Sequence, residues 1–196
     1  MCGGATDTVR APERGGDAVR VVHADLKLQA PERADGRGIH TLVAQCAPLD
    51  LNSVYTYLLL AEHFSSTCVV ARAGGCLRGF VSAFIPPRRP DVLFIWQVAV
   101  HRGSRGRGLG PRMLRHLLMR RELAGVRYIE TTVTPSNESS RRMFFHVARA
   151  LHAPVCESPL FDRRLFGPGG HDDEPLLRIG PFDPPMKEGK NGSENI

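Results

Sequence analysis

The sequence predicts a single sheet of the α/β or α+β class with helices packed on it, because paired strands give way to helices and strands in the order ββ-α-β-α-β. Two further features support that class. Asp91 to Val100 (DVLFIWQVAV) is nearly continuous in β-branched and aromatic residues, the pattern of a strand buried on both faces in mid-sheet. A glycine-rich turn follows at once, and then Leu109 to Leu123 gathers Met113, Leu114, Leu117 and Leu118 on one side and arginines on the other, as an amphipathic helix does.

The remaining elements follow in order. A short strand is expected near Lys27 to Gln29. Asp35 and Gly36 then lead into Ile39, Leu42, Val43 and Cys46 at helical spacing, closed by Pro48. Asn52 or Ser53 can cap a second helix carrying Tyr55, Leu58, Leu59 and Phe64. Thr67 to Arg72 and Leu77 to Phe84 read as strands joined at Gly74-Gly75. After the long helix come a strand from Arg127 to Val133, a helix from Glu138 to about Leu151, and short strands near Val155 and over Leu176 to Ile179.

A chain of 196 residues, 42% hydrophobic, has enough apolar surface for one core and one domain, placed at residues 21–182. Residues 1–20 and 183–196 lack apolar periodicity and are expected to be disordered tails. The sequence has no apolar block of membrane-spanning length and its first residues carry no signal-peptide core, so a soluble, cytoplasmic protein is expected. Five scattered cysteines show no zinc-ligand spacing, and no metal is expected. Cys46 is a candidate nucleophile only if a base stands beside it. A net charge of +6 invites a polyanion, but no aromatics are interleaved with Arg102 to Arg121 as single-strand binding would require, and a nucleic-acid partner is not expected.

The chemistry is concentrated in VHRGSRGRGLG, Val100 to Gly110, where Gly106, Gly108 and Gly110 allow a tight turn and bring several N–H groups to one surface at a helix start. A dinucleotide fingerprint needs G-x-G-x-x-G after an early strand, and a P-loop needs Lys-Ser or Lys-Thr; neither is present. What stands here is R-x-x-G-x-G, from Arg105 through Gly106, Arg107, Gly108 and Leu109 to Gly110.

In this position the motif resembles the pyrophosphate-binding segment of the GNAT acyltransferase superfamily. The preceding strand ends VAV, and a strand and an Asn-led helix (Asn137-Glu138-Ser139-Ser140) follow at the family's interval. The resemblance implies an α/β fold of GNAT type: one mixed sheet, splayed in the middle, covered by helices on both faces, with acetyl-CoA in the V between the central strands. Four further blocks, Cys46 to Phe64, Phe94 to His101, Ile129 to Asn137 and Gly169 to Pro181, look like the L-2,4-diaminobutyrate acetyltransferases of ectoine biosynthesis. That likeness implies acetylation of the γ-amine of diaminobutyrate and a homodimer.

Such a reaction needs a neutral amine, whereas an alkyl ammonium titrates near about 10. A carboxylate, directly or through water, is the natural base, and Glu130 and Asp50 are the candidates. Asp50, Asn52, Ser53 and Tyr55 crowd the segment that in GNAT proteins arches over the acceptor, with capping as the alternative role for Ser53 and Asp50. Simple alternation puts Trp96 on the face of Val98 and Val100, looking into the acceptor pocket, and Gln97 on the other. Thr131 and Thr132 could offer hydroxyls or merely form strand. A backbone N–H between Val98 and Val100 would serve the oxyanion. Asn137 and Phe144 complete the expected cofactor side; many GNAT enzymes carry a tyrosine acid where Phe144 stands, so Tyr55, water or release as thiolate remain for that step. His101 is placed at the cofactor rim, and His171 lies in the family-like block GGHDDEP.

Overall fold

The computed structural model describes residues 26–167 and 172–184. In chain order the elements are β1 (Lys27–Gln29), α1 (Gly36–Ala44), α2 (Val54–His63), β2 (Val69–Ala73), β3 (Cys76–Phe84), β4 (Val92–Val100), α3 (Leu109–Leu118), β5 (Tyr128–Thr132), α4 (Glu138–Ala150), β6 (Val155–Phe161) and β7 (Glu174–Ile179). Seven strands form one sheet in the order β1-β2-β3-β4-β5-β7-β6. All neighbours are antiparallel except β4 and β5, which makes the sheet mixed and puts β4 at its centre.

Helices cover both faces. On one, α3 and α4 supply Met113, Leu114, Leu117, Phe144 and Val147 to a core shared with Leu93, Ile95 and Ile129 of the sheet. On the other, Ile39, Leu42 and Val43 of α1 and Tyr57 and Leu60 of α2 meet Val70, Phe80 and Ala99. Val98 and Val100 pack with the first core, whereas Gln97 and Ala99 face the second.

The central strands part early. Val92, Leu93 and Phe94 pair with Tyr128, Ile129 and Glu130, and no rung joins β4 to β5 beyond Phe94 and Glu130. On its other side β4 stays paired to β3 as far as Val100 opposite Gly79. That pairing holds Ser82 opposite Gln97 and Ala83 opposite Ile95, so Trp96 is an extra residue, a bulge, at the point where the strands diverge. Ile95 and Val98 therefore join the same core with two residues between them, so strict alternation does not carry through Trp96. Trp96 is 42% exposed, so β4 is not sealed on both faces along its whole length.

Two further expectations are corrected. The expected helix from Leu109 to Leu123 stops at Leu118, because Arg120 takes an extended backbone and the chain resumes as a single 3-10 turn over Arg121–Leu123. The Arg120 guanidinium reaches back to the α2–β2 turn, where Nη1 donates to the carbonyls of Ser65, Ser66 and Cys68 at 3.0, 2.8 and 2.8 Å. In α2 the buried stripe is Tyr57, Leu60 and Ala61, while Tyr55, Leu58, Leu59 and Phe64 are exposed. Among the described residues no helix is long and apolar enough to cross a membrane, and no cluster of His, Cys, Asp and Glu could hold a metal ion.

A hydrogen bond to a charged donor stabilises by roughly 1.5 to 3 kcal/mol, but here one Nη1 shares its two hydrogens among three carbonyls and the desolvation of the guanidinium offsets part of the gain. Arg120→Met keeps the buried stem but removes this clasp, so the unfolding free energy should fall by about 2 kcal/mol in urea titration, with acetyl-CoA affinity unchanged in calorimetry.

Candidate active site

A cavity of about 490 Å³ lies where β4 leaves β5. Its floor is the α3–α4 face of β4, presented by Val98 and Val100; its walls are the 104–110 loop with the start of α3, the start of α4, and Cys46 to Leu49 after α1. The loop adopts this shape because of its glycines. Gly106 and Gly108 have φ of 71° and 70°, a left-handed backbone that side chains disfavour. Gly110 is needed for another reason: a Cβ there would stand 2.6 Å from Met143 Sδ, so its absence lets α3 and α4 approach.

The first bond of α3 runs from Arg112 N–H to Gly108 C=O at 3.1 Å. The N–H groups of Leu109 and Gly110 precede it and Pro111 has none, so the open helix end, with its partial positive charge, faces the cavity. Arg105 ties this loop to the sheet, its Nε donating to Val100 C=O at 3.0 Å and its Nη2 to Gln45 C=O at 3.4 Å. His101 braces the loop's entry: desolvation, then the guanidiniums of Arg78, Arg102 and Arg105, push its pKa down. Its Nδ1, kept unprotonated, accepts the Gly103 N–H at 3.2 Å. Asn137 caps α4, its Oδ1 accepting from Ser140 N–H at 3.2 Å. The arrangement suits a diphosphate at the loop and an extended thiol arm along β4.

Of the cofactor-side residues expected from sequence, Val98, Val100, Arg105, Gly106, Gly108, Leu109, Gly110 and Asn137 line this one cavity. Arg107 and Phe144 do not. Arg107 is exposed on the outside of the loop, and Phe144 is 3% exposed within the α3–α4 core, its neighbour Met143 facing the cavity instead.

The acceptor-side residues are held from the opposite face of the sheet. Gln97, 4% exposed, donates from Nε2 to the backbone carbonyl of Asp50 at 2.7 Å. Its Oε1 accepts from Tyr57 OH at 3.4 Å, and that hydroxyl accepts the Asn52 N–H at 3.3 Å. The chain between α1 and α2 is thus fastened to β4, with the exposed carboxylate of Asp50 at its edge. Ser53 is the cap of α2, its Oγ accepting from Thr56 N–H at 3.3 Å. Sequence reading passed over Tyr57. Tyr55, one of the residues expected at the acceptor, is 67% exposed on α2.

On β5, Glu130 shares the face of its partners Phe94 and Arg178 and is wholly buried. Its Oε1 accepts from Arg89 Nη1 at 2.6 Å and lies 3.2 Å from Arg178 Nη1, while Oε2 has no hydrogen-bond partner among the described residues. Thr131 alternates to the other face, opposite Leu177 of the α3–α4 core, and so stands apart from Glu130. The cysteine expectation also gains a location, since Cys46 lines the cavity with Sγ donating to Val100 C=O at 3.4 Å. His171 lies outside the described residues.

Comparison with known proteins bears on this geometry. Residues 33–146 match the model of the acetyltransferase (GNAT) family. The L-2,4-diaminobutyric acid acetyltransferase of Bordetella parapertussis is 58% identical over 159 residues, which are 81% of this chain and 86% of that protein. Its counterpart from Chromohalobacter salexigens is 46% identical over 160 residues, 81% and 83% of the two chains. The structure of diaminobutyrate acetyltransferase from Paenibacillus lautus, in complex with L-2,4-diaminobutyric acid and coenzyme A, aligns with a TM-score of 0.78 at 42% identity over 81% of this chain and 96% of that one. With a strand pair that parts over a glycine-loop cavity, a family match over most of the fold and relatives this similar along nearly their whole length, the chain belongs to the GNAT acetyltransferase family and, within it, to the diaminobutyric acid acetyltransferases.

Proposed function

We propose that this enzyme transfers the acetyl group of acetyl-CoA to the γ-amine of L-2,4-diaminobutyrate by direct attack in a ternary complex, giving N4-acetyl-L-2,4-diaminobutyrate, the precursor that cyclises to the osmoprotectant ectoine. One observation carries the reading: the gap between β4 and β5 opens to the cofactor cavity on the α3–α4 face and to the fastened α1–α2 segment on the other. Acyl donor and amine can meet through the sheet. The names of the similar proteins fix the acceptor.

Acetyl-CoA supplies an activated thioester; this chain supplies position and proton handling. The 106–110 glycine loop with Arg105 holds the diphosphate, and Val98 and Val100 bound the arm. Asp50, Asn52, Tyr55, Trp96 and Glu130 are assigned to the acceptor, with Asp50 as the base, directly or through water, because its carboxylate is exposed whereas that of Glu130 is sealed. Beyond Phe94, β5 offers β4 no partner, so an N–H of the Val98 to Val100 stretch is the natural oxyanion donor. Phe144 brings no hydroxyl to the leaving thiolate, and no acid of this chain is assigned to it.

The catalytic unit is taken as residues 21–182, acting as a homodimer in the cytoplasm. The edge strand β6, exposed along most of its length with Leu160 and Phe161 at 43% each, suits burial against a second copy. Unpaired thiols at Cys46, Cys68, Cys76 and Cys156 suit a reducing compartment.

Three experiments test this reading. Gly108→Val, which no left-handed backbone accommodates easily, should weaken acetyl-CoA binding strongly while circular dichroism stays native; unchanged affinity would remove the loop from the site. Asp50→Asn and Glu130→Gln should each lower kcat/KM for diaminobutyrate by about ten-fold to a hundred-fold, the worth of one charge-assisted hydrogen bond. Acetyl-CoA affinity should hold in both, and wild-type kinetics in both would refute the acceptor assignment. Direct transfer requires intersecting initial-rate lines and retained activity in Cys46→Ala. Burial pushes the Cys68 thiol up to about 11, which removes it as an alternative nucleophile. Parallel lines, with labelled acetyl trapped on protein when the amine is withheld, would overturn direct transfer.

A further inference from the structure

We infer that His101 is a positioning residue for the acyl donor: its unprotonated imidazole sets the turn that presents Ser104 and Arg105 to the cofactor cavity, and a proton on that imidazole releases the turn and weakens acetyl-CoA binding. This deepens the proposed use of acetyl-CoA and rests on it.

Three groups of this one residue fasten the loop to the sheet. The His101 N–H donates to the Arg78 carbonyl of β3 at 2.9 Å, just past the last rung, which pairs Val100 with Gly79. Its carbonyl accepts the Ser104 N–H at 2.8 Å, and its Nδ1 accepts the Gly103 N–H at 3.2 Å. Together they close a single turn over Arg102–Ser104, with His101 as its N-cap, after which Arg105 takes an extended backbone. Ser104 and Arg105 line the cavity, whereas His101 and Gly103 do not, so the imidazole acts on the cofactor through the turn. An N-cap acceptor is ordinarily an oxygen of Asp, Asn, Ser or Thr, which no proton blocks near neutrality. An imidazole nitrogen accepts only while the ring is neutral with its hydrogen on Nε2, because both nitrogens of the cation are donors.

The surroundings favour the neutral ring. Desolvation first, then Arg78 on β3 and Arg102 and Arg105 on the loop itself, hold the imidazole below its ordinary titration range. The set turn therefore takes up a proton less readily than a released one, in which an ordinary histidine titrates near about 6.5. As pH falls through that value the released form gains protons first, and the set form is increasingly disfavoured until pH passes the lowered value, beneath which the penalty is constant. Well above it both forms are neutral and the effect vanishes. Charge attraction alone predicts the reverse, since an imidazolium beside the loop would draw the cofactor's phosphates and tighten binding in acid. One proton thus has two consequences of opposite sign, and measurement separates them.

The test is calorimetric titration with acetyl-CoA, in the absence of amine, of the unaltered enzyme, His101→Ala and His101→Asn between about pH 8 and about pH 5.5, a span that brackets ordinary histidine titration. Asn accepts the same N–H two residues on through Oδ1 and does not titrate. At the alkaline end His101→Ala should bind about three-fold to ten-fold more weakly, the worth of a lost cap, and His101→Asn should recover most of that loss. Toward the acid end the dissociation constant of the unaltered enzyme should rise by about three-fold or more relative to that of His101→Asn, a ratio that cancels titration of the cofactor's own phosphates. A merely structural histidine would not give both the rescue by Asn and the loss of the acid limb. The inference is overturned if His101→Ala binds as tightly as the unaltered enzyme at the alkaline end, or if the ratio stays flat or falls in acid. The Asn variant carries the acid comparison without His101→Ala, should the latter fail to fold. Absence of acetyl-CoA binding by the unaltered enzyme at every pH would overturn the proposed activity and the inference with it.

Discussion

The early parting of β4 from β5 is the constraint on which the rest of the molecule depends. Three rungs join these parallel strands and then stop, in the centre of a seven-stranded sheet where unpaired backbone is costly. The gap stays open because each strand is committed elsewhere. β4 remains paired to β3 up to Val100, and β5 is paired to β7 through Thr132. The bulge at Trp96 bends β4 at the point of departure, and Arg105 holds the strand's end through the Val100 carbonyl. Backbone groups freed by the gap are thereby available to a ligand that carries its own hydrogen-bonding groups.

Charge is distributed to match. At the cofactor end, arginines, a helix N-terminus and glycine N–H groups make a positive concavity, and His101 contributes there as a neutral acceptor. At the acceptor end lie the exposed carboxylate of Asp50 and the buried one of Glu130. The two ends sit on opposite faces of the sheet, so the anionic diphosphate and the cationic amine are each drawn to their own side while the reacting atoms converge through the gap.

Much of this was legible in the sequence, and the remainder was hidden for identifiable reasons. The cofactor loop could be read because Gly106, Gly108 and Gly110 answer to local backbone requirements, and local requirements leave local signals. The buried strand and the caps at Ser53 and Asn137 are local in the same way. The alternation along β4 was misread because a bulge shifts parity without any mark in the residue types. The phase of α2 was misread because Val54 to His63 is apolar on nearly every side, so periodicity does not choose between Tyr55 and Tyr57; only the distant partner Gln97 does. Phe144 was assigned by counting from Asn137, a rule that fixes position along the helix but not the burial that its neighbours impose. The guanidiniums on Glu130 come from Arg89 and Arg178, each more than forty positions away along the chain, and nothing in the segment IETT announces them.

One strand accordingly sets the distance between donor and acceptor. The side chain of Gln97 fixes the Asp50 backbone on one face of β4, while Val98, next to it, and Val100 form the cofactor floor on the other. Sites built on separate loops would drift relative to one another, whereas alternate residues of a single paired strand cannot. A misplacement of about 1 Å between reacting groups can cost on the order of a hundred-fold in rate. Fastening both substrates to the same few residues of β4 removes that freedom before either substrate arrives. It also explains why a buried glutamine, a residue that takes no part in proton transfer, stands at the middle of the catalytic strand: its amide carries the register of the acceptor segment to the register of the sheet.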